Sequence, residues 1–424
     1  MDITRRTLLG GSAALSTIAS AAAETSRPRS PADLARDENW WRRIAQLYDQ
    51  PPPGVVQLES GQFGAMPTSV RKVYERHINR INRETTLYTR QGLNDDLASV
   101  RNRTAALLGV DRDEIAFTRG GSESMAALIG GYNRLKPGDA VIYADLDYDS
   151  MQAGMESLTR LRGVHVIRID LPEPATAQNI IDTYDRALRD HPEARMMLLT
   201  HLSHRTGLVP PVREIVAMAR SRGVDVLLDV GHALGQIEFS LRELDVDFAG
   251  INLHKWIASP LGVGLIYVRK ARIADIDPCL LEGASDRIDA RVHTGTVNYA
   301  ALLTVPDAIT AHEAVGLAHK AHRLRYLRDR WAEALRSDDR FEILTPDDPA
   351  MHGGITSFRM KGRGSRAEVT ALRKMLFDRH RIFTVERFGV ARGACIRVSP
   401  SFINDASQLD RLVVALRELA ASSA

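Results

Sequence analysis

The middle of the chain alternates short apolar runs with amphipathic segments of helical spacing. We predict strands at residues 114–118, 140–144, 164–169, 196–200, 224–229, 248–253 and 265–268, and helices at 93–108, 125–134 and 177–190. Runs that are apolar at successive positions are typical of strands buried on both faces. Their alternation with helices predicts an α/β fold with a mainly parallel sheet and right-handed crossovers. Functional side chains are expected at the carboxyl ends of these strands.

The pattern changes after residue 276. Helical spacing covers residues 300–336, and a smaller α+β portion follows, with predicted strands at 355–360 and 395–398 and helices at 366–379 and 407–421. Near the start, we predict an amphipathic helix over residues 32–50, which ends at a run of prolines. A short strand is predicted at residues 55–58. We therefore divide the chain into a leader and linker (1–30), an N-terminal arm (31–60), a large domain (61–300) and a small C-terminal domain with a connecting helix (301–424).

Composition restricts the class of protein. The chain has 424 residues, of which 44% are hydrophobic and 26% charged, and a formal net charge of +3. These values are typical of a globular protein of two domains and give no support for nucleic-acid binding. The arginines alternate with acids along predicted helices, as in residues 323–330, which indicates solvated helix faces. The two cysteines, Cys279 and Cys395, form no disulfide framework, and whether they are bridged is left open.

The N-terminus carries a candidate export signal. Arg5 and Arg6 precede a run of small, weakly apolar residues that ends in Ala21-Ala22-Ala23. This order of features is typical of a twin-arginine signal peptide, although an Arg-Arg pair also occurs by chance. We expect the folded protein to cross the membrane through the twin-arginine translocon and to be periplasmic, with a mature start near Glu24.

Lysine and aspartate follow two neighbouring apolar runs. Lys255 is the only one of seven lysines at the tip of a hydrophobic strand, and Asp229 closes the run before it. A desolvated lysine has a lowered pKa or carries a Schiff base, whereas an ordinary strand-end lysine reaches out to water. Pyridoxal phosphate requires such a pair, because a lysine holds the cofactor covalently and a carboxylate keeps the pyridine nitrogen protonated.

Two segments carry a resemblance to a known family. Residues 224–236, VDVLLDVGHALGQ, and 247–264, DFAGINLHKWIASPLGVG, resemble the class V aminotransferases, a group that includes cysteine desulfurases, kynureninases and isopenicillin N epimerase. The likeness extends from about residue 58 to the C-terminus. It implies the fold type I architecture of pyridoxal-phosphate enzymes, with a seven-stranded type of sheet in the large domain and a small α+β C-terminal domain.

The resemblance also assigns cofactor contacts. It places Gly121 and Ser122 on the phosphate, Tyr148 on the face of the ring, and His204, His232, His254 and Thr296 among the remaining contacts, in addition to Asp229 and Lys255. Glycine-freed amides at a helix N-terminus suit an anion, although the same turn is also explained by Ser122 as a helix N-cap. The alternative interpretation of Tyr148 is a loop tyrosine that only packs against its neighbours. The alternative interpretation of His232 is a histidine with a structural role in a turn. His204 stands where relatives carry Asn, Ser or Tyr, which leaves its role open.

Substrate and partner contacts follow from the same comparison. Arg397, in residues 394–399, resembles the arginine that binds the substrate carboxylate, for which a guanidinium offers bidentate geometry. Residues 59–67, ESGQFGAMP, resemble an element of the epimerase branch and place Phe63 on the substrate side, while Arg90 is a candidate second anion contact. Thr296 resembles a threonine that reaches the phosphate in the neighbouring subunit, which implies an obligate homodimer with a shared active site.

The predicted function is a pyridoxal-phosphate-dependent enzyme that acts on an amino-acid-type amine, with Lys255, Asp229 and His232 as catalytic residues. Lys255 is expected to move the substrate proton. Transamination, epimerisation and C–S or C–N bond cleavage share their first steps, so the epimerase or lyase alternative stays open. A desulfurase is disfavoured because neither cysteine stands on an evident mobile loop. A binding protein that retains the fold is the non-enzyme alternative. No metal is expected, since no Cys or acid cluster accompanies the histidines.

Overall fold

Two short helices, α1 (Pro31–Ala35) and α2 (Glu38–Ala45), begin the computed structural model, which describes residues 30–422. The predicted single helix over 32–50 was wrong, because the chain leaves helical geometry at Asp37. The Asp37 side chain accepts a hydrogen bond from the backbone N–H of Trp40 and so starts a new helix. Trp41 is buried, and its indole N–H donates to the Leu34 carbonyl at 2.9 Å. The predicted signal peptide lies outside the described residues.

The strand and helices that follow lead into the large sheet. Strand β1 (Val56–Gln57) pairs in parallel with residues Ile382–Phe383, far along the chain. Helices α3 (Thr68–Gln91) and α4 (Leu93–Leu108) come next, and α4 ends at Gly109, whose positive φ of 66° suits glycine. The N-terminal segment thus lies beside the C-terminal part of the protein, although the two are more than 300 residues apart.

The apolar runs form one seven-stranded sheet. Its strands are β2 (Ile115–Thr118), β3 (Ala140–Ala144), β4 (His165–Ile169), β5 (Ala194–Thr200), β6 (Asp225–Asp229), β7 (Phe248–Asn252) and β8 (Gly264–Val268), in the spatial order β2-β8-β7-β6-β5-β3-β4. Strand β8 runs antiparallel to both of its neighbours, and the other pairings are parallel. The predicted mainly parallel sheet is therefore confirmed.

Helices cover the two faces of this sheet. They are α5 (Gly121–Gly131), α6 (Asp149–Arg162), α7 (Ala177–Asp190) and α8 (Val212–Ser221). Helix α5 begins at Gly121, four residues before the predicted start, because the prediction followed the apolar spacing, which begins only at Met125. The first turn of α5 therefore contains Gly121, Ser122 and Glu123, and it lies directly after strand β2. This turn is one wall of the site described below.

The segment after residue 298 contains three helices where one continuous helical stretch was predicted. They are α9 (Tyr299–Leu303), α10 (Val305–Val315) and α11 (Leu317–Arg336). The breaks fall at Thr304 and at Gly316, whose φ of 89° takes the chain out of helical geometry. The buried side of α11 includes Trp331 and Leu335, which pack in the hydrophobic core of the C-terminal portion.

The C-terminal portion is built on an antiparallel sheet of four strands. Its elements are β9 (Phe341–Ile343), β10 (Thr356–Met360), α12 (Arg366–His380), β11 (Ile382–Phe383), β12 (Val385–Arg387), β13 (Cys395–Val398) and α13 (Ala406–Ala421). The sheet has the order β12-β13-β10-β9, and β11 pairs with β1 instead. The predicted small α+β portion is confirmed in kind. The residue numbers of the domain boundaries stay a prediction.

Two further points concern the chain as a whole. Cys279 and Cys395 are both free thiols, so no disulfide joins them. Over residues 30–422 no helix has both the length and the apolarity needed to cross a bilayer. In the same range no group of three His, Cys, Asp or Glu side chains is arranged to hold a metal ion.

Candidate active site

One cavity of about 710 Å³ lies at the carboxyl ends of the parallel strands. Because strands β5, β6 and β7 pair in register, Thr200, Asp229 and Gly250 lie side by side at that edge. The cavity collects most of the predicted site residues, namely Gly121, Ser122, Tyr148, His204, Asp229, His232, His254, Lys255 and Arg397. These predicted site residues therefore lie together around one cavity, and their functional roles stay predictions.

The backbone at Lys255 is held by the N-terminal segment. The backbone N–H of Gly64 donates to the carbonyl of His254 at 2.9 Å. A Cβ atom at Gly64 would lie 2.0 Å from the Lys255 carbonyl oxygen, so no other residue fits at this position without a shift of the backbone. Residues 59–67, which resemble an element of the epimerase branch, therefore position Lys255 through Gly64.

The amine of Lys255 contacts His232. Its Nζ lies 3.1 Å from Nε2 of His232, and the indole N–H of Trp256 points to the other ring nitrogen, Nδ1, at 3.5 Å. Burial lowers the pKa of His232 well below its usual value, so the ring is neutral. With Nδ1 as an acceptor, Nε2 carries the hydrogen and donates it to Lys255 when the amine is unprotonated. This contact requires the neutral amine as its acceptor.

The pKa of Lys255 is lowered to about 8, chiefly by burial, while the carboxylate of Asp229 opposes the shift. A substantial fraction of the amine is therefore unprotonated at mildly alkaline pH. An unprotonated amine is the nucleophilic form that can attack a carbonyl group. The amine of Lys255 is therefore suited to covalent attachment to an aldehyde.

Asp229 ends strand β6 and faces the same cavity. Its Oδ1 accepts a hydrogen bond from the backbone N–H of Gly231 at 2.8 Å. A Cβ atom at Gly231 would lie 2.9 Å from that oxygen and 3.7 Å from Nζ of Lys255, so glycine keeps the space between the acid and the lysine open. Burial raises the pKa of Asp229, and a cationic ring nitrogen in the cavity would supply a partner for its carboxylate.

The first turn of α5 forms a cradle for an anion. Asn252, at the end of β7, accepts a hydrogen bond from the backbone N–H of Gly121 at 2.7 Å. Ser122 is exposed to the cavity, and a Cβ atom at Gly120 would lie 3.4 Å from the His254 ring. His254 donates from Nδ1 to the Val263 carbonyl at 3.0 Å, which fixes the orientation of its ring. A helix N-terminus with glycines and a hydroxyl suits a phosphate group.

Tyr148 and His204 lie on another wall. Their rings meet edge-on, with centroids 4.9 Å apart, and Nε2 of His204 lies 3.5 Å from the carboxylate of Asp149. Burial lowers the pKa of His204 to about 3, so the ring is neutral at physiological pH and donates its hydrogen to Asp149. Its buried Nδ1 has no hydrogen-bond partner among residues 30–422 and is left as an acceptor.

Arg397, on β13, reaches the cavity but is already paired. Its Nε and Nη2 groups donate to the carboxylate of Glu59, and Nη1 donates to the carbonyl of His204 at 2.8 Å. A second guanidinium, that of Arg387, also lines the cavity. Burial lowers the pKa of Arg387 to about 10, and Arg397 adds to the shift, so Arg387 keeps its charge at neutral pH.

Three predicted residues lie outside the cavity of a single chain. Phe63 is 47% exposed and follows Gln62, which does line the cavity. Arg90 is exposed near the end of α3, and Thr296 is exposed in the segment before α9. Since the expected role of Thr296 involves a second subunit, that role stays a prediction. The same holds for the proposed contacts of Phe63 and Arg90.

Sequence reasoning missed two residues that shape the site. Asn252 ends an apolar strand just before His254 and holds the Gly121 amide, a contact that spans 131 residues. Arg387 lies in a short alternating segment whose strand nature was not predicted. A polar residue at the carboxyl end of a buried strand was the signal for Asn252. For Arg387 the chain gave no comparable signal.

Comparison with known proteins agrees with this geometry. The family model described as Aminotransferase class-V matches residues 65–412. The chain is 26% identical to isopenicillin N epimerase of Streptomyces clavuligerus over 389 residues, which cover 87% of this chain and 95% of that protein. The protein therefore belongs to the class V aminotransferase family.

Two solved structures share the fold. A cysteine desulfurase from Thermococcus onnurineus NA1 superposes with a TM-score of 0.75 at 19% identity, over 94% of this chain and 100% of that one. A mutant of C-DES with glycine linked to its PLP cofactor gives a TM-score of 0.73 at 21% identity, over 87% and 97%. The architecture is that of the fold type I pyridoxal-phosphate enzymes, with a seven-stranded mixed sheet and a small antiparallel C-terminal sheet.

Pyridoxal phosphate is the cofactor that the family implies, and the residues present fit it. The glycine-lined turn of α5 suits the phosphate, Asp229 suits a protonated pyridine nitrogen, and the lowered pKa of Lys255 suits attachment to an aldehyde. These three features lie around one cavity.

Proposed function

We propose that the protein is an enzyme that uses Lys255 to bind pyridoxal phosphate covalently and acts on a primary amine of amino-acid type. The observation that carries this proposal is the contact between the amine of Lys255 and His232, 3.1 Å long, with Asp229 facing the same cavity. When bound, the cofactor withdraws electrons from the amine-bearing carbon of the substrate and makes its hydrogen acidic.

The residues of the chain supply the remaining steps. Asp229 holds a positive charge at the ring nitrogen. His232 donates a hydrogen bond to Lys255 and keeps the amine oriented towards the cavity. Once a substrate amine has released Lys255, its Nζ takes a proton from the substrate carbon and returns it.

Two reaction classes follow from the same beginning. If the proton that Lys255 takes is not restored to the substrate carbon, the bound cofactor would supply the chemistry of a transamination, which is the reaction that we propose first. Delivery of a proton to the opposite face of the substrate carbon, by a donor other than Lys255, would give epimerisation. The likeness to isopenicillin N epimerase, which spans 95% of that protein, favours epimerisation as the second candidate.

A desulfurase reaction through either cysteine has less support. A sulfur acceptor needs an accessible thiolate. Cys395 is buried within β13, and burial raises the pKa of its thiol to about 11. Cys279 is partly exposed but does not line the cavity.

The reaction class is tested by half-reactions with a panel of amines. Conversion of the bound cofactor to its amine form indicates transamination. Exchange of the substrate carbon proton with solvent deuterium, with the cofactor unchanged, indicates epimerisation or bond cleavage. Protein that takes up no cofactor would contradict both, and would favour a binding protein that retains the fold.

Export and assembly are part of the proposal. Arg5-Arg6 and the alanine run at 21–23 support passage through the twin-arginine translocon and a periplasmic location. Cell fractionation of the wild type and of a variant with Arg5→Lys and Arg6→Lys tests this. A cytoplasmic wild type that keeps residues 1–23 would contradict it. The homodimer is tested by sedimentation, where a monomer at micromolar concentration would count against a shared site.

A further inference from the structure

Trp256, the residue after Lys255, is held by hydrogen bonds at two points. Its indole N–H donates to Nδ1 of His232 at 3.5 Å, and its backbone carbonyl accepts a hydrogen bond from Nζ of Lys320 at 2.8 Å. The side chain of Trp256 is buried and does not line the active-site cavity. Trp256 therefore connects Lys320, on helix α11, with the imidazole that contacts Lys255.

Lys320 is a second buried lysine, only 2% exposed. Its Nζ lies 2.7 Å from Nδ1 of His312, on helix α10, and 4.7 Å from the centre of the Phe402 ring. Among residues 30–422 no carboxylate forms an ion pair with this amine. Burial without a counter-charge favours the unprotonated amine, whose two hydrogens match the two acceptors, the Trp256 carbonyl and the His312 ring. Lys320 is thus placed as a hydrogen-bond donor.

The hydrogen bond from Lys320 supports the turn that presents Lys255. The carbonyl of Lys255 accepts a hydrogen bond from the backbone N–H of Ala258 at 3.2 Å, and the next carbonyl, that of Trp256, accepts from Lys320. Ala258 has a positive φ of 59°, a conformation that costs energy for a residue with a Cβ atom. Loss of the Lys320 donor would leave a buried carbonyl unpaired and free the Trp256 peptide to rotate.

The turn that carries His232 packs against the same peptide. A Cβ atom at Gly235 would lie 2.9 Å from the carbonyl carbon of Trp256, and the carbonyl of His232 accepts a hydrogen bond from the Gln236 side chain at 2.9 Å. The imidazole and the indole are therefore both attached to fixed backbone. Because the indole N–H can only donate, it leaves Nδ1 of His232 as the acceptor and places the ring hydrogen on Nε2.

The hydrogen on Nε2 makes the contact with Lys255 depend on the protonation of the amine. An unprotonated amine, 3.1 Å away, accepts this hydrogen with its lone pair, whereas an ammonium group has only hydrogens to offer. With the hydrogen on Nδ1 instead, Nε2 would accept from the ammonium group. A hydrogen bond to one protonation state favours that state, so the tautomer of His232 acts on the pKa of Lys255.

We propose that Trp256 and Lys320 are positioning residues that keep the amine of Lys255 unprotonated. Lys320 fixes the backbone of Trp256, and Trp256 fixes the tautomer of His232. The inference deepens the proposed function, on which it rests for the role of Lys255 as the reactive amine. The other titratable and charged groups around Lys255, which are the same in every variant below, are Glu59, Asp229, His254, Arg387 and Arg397.

The first readout is the pH dependence of the reaction of Lys255 with a trace of acetic anhydride in protein without cofactor. Mass spectrometry of the peptide that contains Lys255 gives the extent of reaction, which in the wild type should be half-maximal near pH 8. In Trp256→Phe we expect the midpoint to rise by about one pH unit and the reactivity at pH 7 to fall about tenfold. Lys320→Met keeps the volume and removes the donor, and it should raise the midpoint by about half a unit. An unchanged midpoint in Trp256→Phe would overturn the proposal.

Water that enters beside a smaller side chain would also change the pKa of Lys255, and a double-mutant cycle separates the two causes. In a His232→Ala background no tautomer is left to fix. Trp256→Phe should then add less than about 0.3 units to the midpoint. A shift in that background as large as in the single variant would mean that Trp256 acts by packing alone, and the proposal would fail.

The tautomer itself is the second readout. In cofactor-free protein labelled with ¹⁵N-histidine, the ring signals of His232 are assigned by their loss in His232→Ala. One pH unit above the midpoint we expect a protonated Nε2 and an unprotonated Nδ1 in the wild type, and a population with the hydrogen on Nδ1 in Trp256→Phe. A wild-type ring with its hydrogen on Nδ1, or a tautomer that Trp256→Phe leaves unchanged, would overturn the proposal.

Trp331→Phe is the matched control, because it removes the same atoms elsewhere. Trp331 is fully buried in the core of the C-terminal portion, and its indole N–H has no hydrogen-bond partner among residues 30–422. This variant should lower the melting temperature and leave the Lys255 midpoint and the His232 tautomer unchanged. A shift of the midpoint like that of Trp256→Phe would overturn the proposal.

The proposed function is judged by a separate measurement. Both readouts use protein without cofactor, whereas uptake of pyridoxal phosphate by the wild type is measured by absorbance. If the midpoint shifts as expected but the wild type takes up no cofactor, the proposed function fails and the positioning of Lys255 stands. If the cofactor binds but the midpoint and the tautomer stay unchanged in Trp256→Phe, only the role of Trp256 and Lys320 fails.

Discussion

Nζ of Lys255 lies 3.1 Å from Nε2 of His232, and the indole of Trp256 approaches the opposite nitrogen of the same ring. The Trp256 N–H favours the tautomer in which Nε2 carries the hydrogen, and this imidazole donates to Lys255 in its unprotonated form. The neutral ring and the lowered pKa of the lysine have the same main cause, which is burial. The contact links the reactive amine to a turn that follows strand β6.

The rate of cofactor attachment should depend on pH through Lys255. Only the unprotonated amine attacks an aldehyde, and the pKa of Lys255 is about 8. In protein stripped of cofactor, we expect the attachment rate to rise about tenfold per pH unit below that value and to level off above it. Stopped-flow absorbance after addition of pyridoxal phosphate measures this rate.

The same measurement on His232→Ala tests the cause. Removing the imidazole admits water beside the amine and reduces its desolvation, so the pKa of Lys255 should rise. The attachment rate should therefore level off at a higher pH than in the wild type. A wild-type rate that still rises above pH 10 would mean that the lysine has its ordinary pKa, in conflict with this account.

Asp229 should matter for catalysis more than for folding. In Asp229→Asn the positive charge of the ring nitrogen loses its partner, and we expect turnover to fall by about 100-fold or more while the protein stays folded. Turnover is measured as the first-order rate of a half-reaction with saturating amine.

Asp225 serves as the control, because it stands at the other end of strand β6 and pairs with Arg272. Asp225→Asn should lower the melting temperature and leave the half-reaction rate within about threefold, since exposed and partly exposed ion pairs are weak. Equal losses of rate in the two variants would argue that Asp229 has only a structural role.

Gly64 should tolerate no side chain. A Cβ atom there would lie 2.0 Å from the carbonyl oxygen of Lys255, so Gly64→Ala must displace the backbone that presents the lysine. Overpacking of this kind costs about 1–3 kcal/mol. We expect a lower melting temperature together with weaker cofactor binding, measured by thermal unfolding and by absorbance titration.

Gly130, near the end of helix α5, is the matched control. A Cβ atom at this position meets nothing within 4 Å, so Gly130→Ala should stabilise the protein by about 0.5–1 kcal/mol through helix propensity. If Gly64→Ala behaved in the same way, the close approach to Lys255 would not exist in solution.

Lys320 should make stability rise with pH. Its Nζ is buried, donates to the Trp256 carbonyl at 2.8 Å and lies 2.7 Å from Nδ1 of His312. Burial lowers its pKa from 10.5 to about 7. Between these two values the unfolded chain binds more protons than the folded protein, so raising the pH in this window favours the folded state.

Lys320→Met isolates this effect, since it removes the titration and keeps the volume. The free energy of unfolding of the wild type, relative to this variant, should increase by up to about 1.4 kcal/mol per pH unit between pH 7 and 10.5. Urea unfolding at several pH values measures the difference. A difference independent of pH would show that Lys320 is not desolvated.

The sequence predicted the parts of the site that follow buried strands. Asp229 and Lys255 each end an apolar run, and the register of β6 and β7 then brings them to one edge. The pairing of Glu59 with Arg397 could not be predicted in the same way. It depends on a backbone bridge between residues 340 positions apart, and neither segment carries a local pattern that selects the other.

The ends of helices were also predicted incorrectly, because they depend on single residues rather than on periodicity. Asp37 divides the first predicted helix by capping a new one. Gly316 divides the long helical stretch through its positive φ. In both places the apolar spacing continues across the break, so spacing alone predicts one helix where the structure has two.

The most direct test of the central claim is the absorbance spectrum of the purified protein with pyridoxal phosphate, compared with Lys255→Ala. The exposed Lys270→Ala is the control. We predict a visible band that resists gel filtration in the wild type and in Lys270→Ala and that is lost in Lys255→Ala, because Lys255 is the one lysine within residues 30–422 that lines the cavity. An equal band in Lys255→Ala, or no band in the wild type, would contradict the assignment of Lys255 as the cofactor-binding lysine.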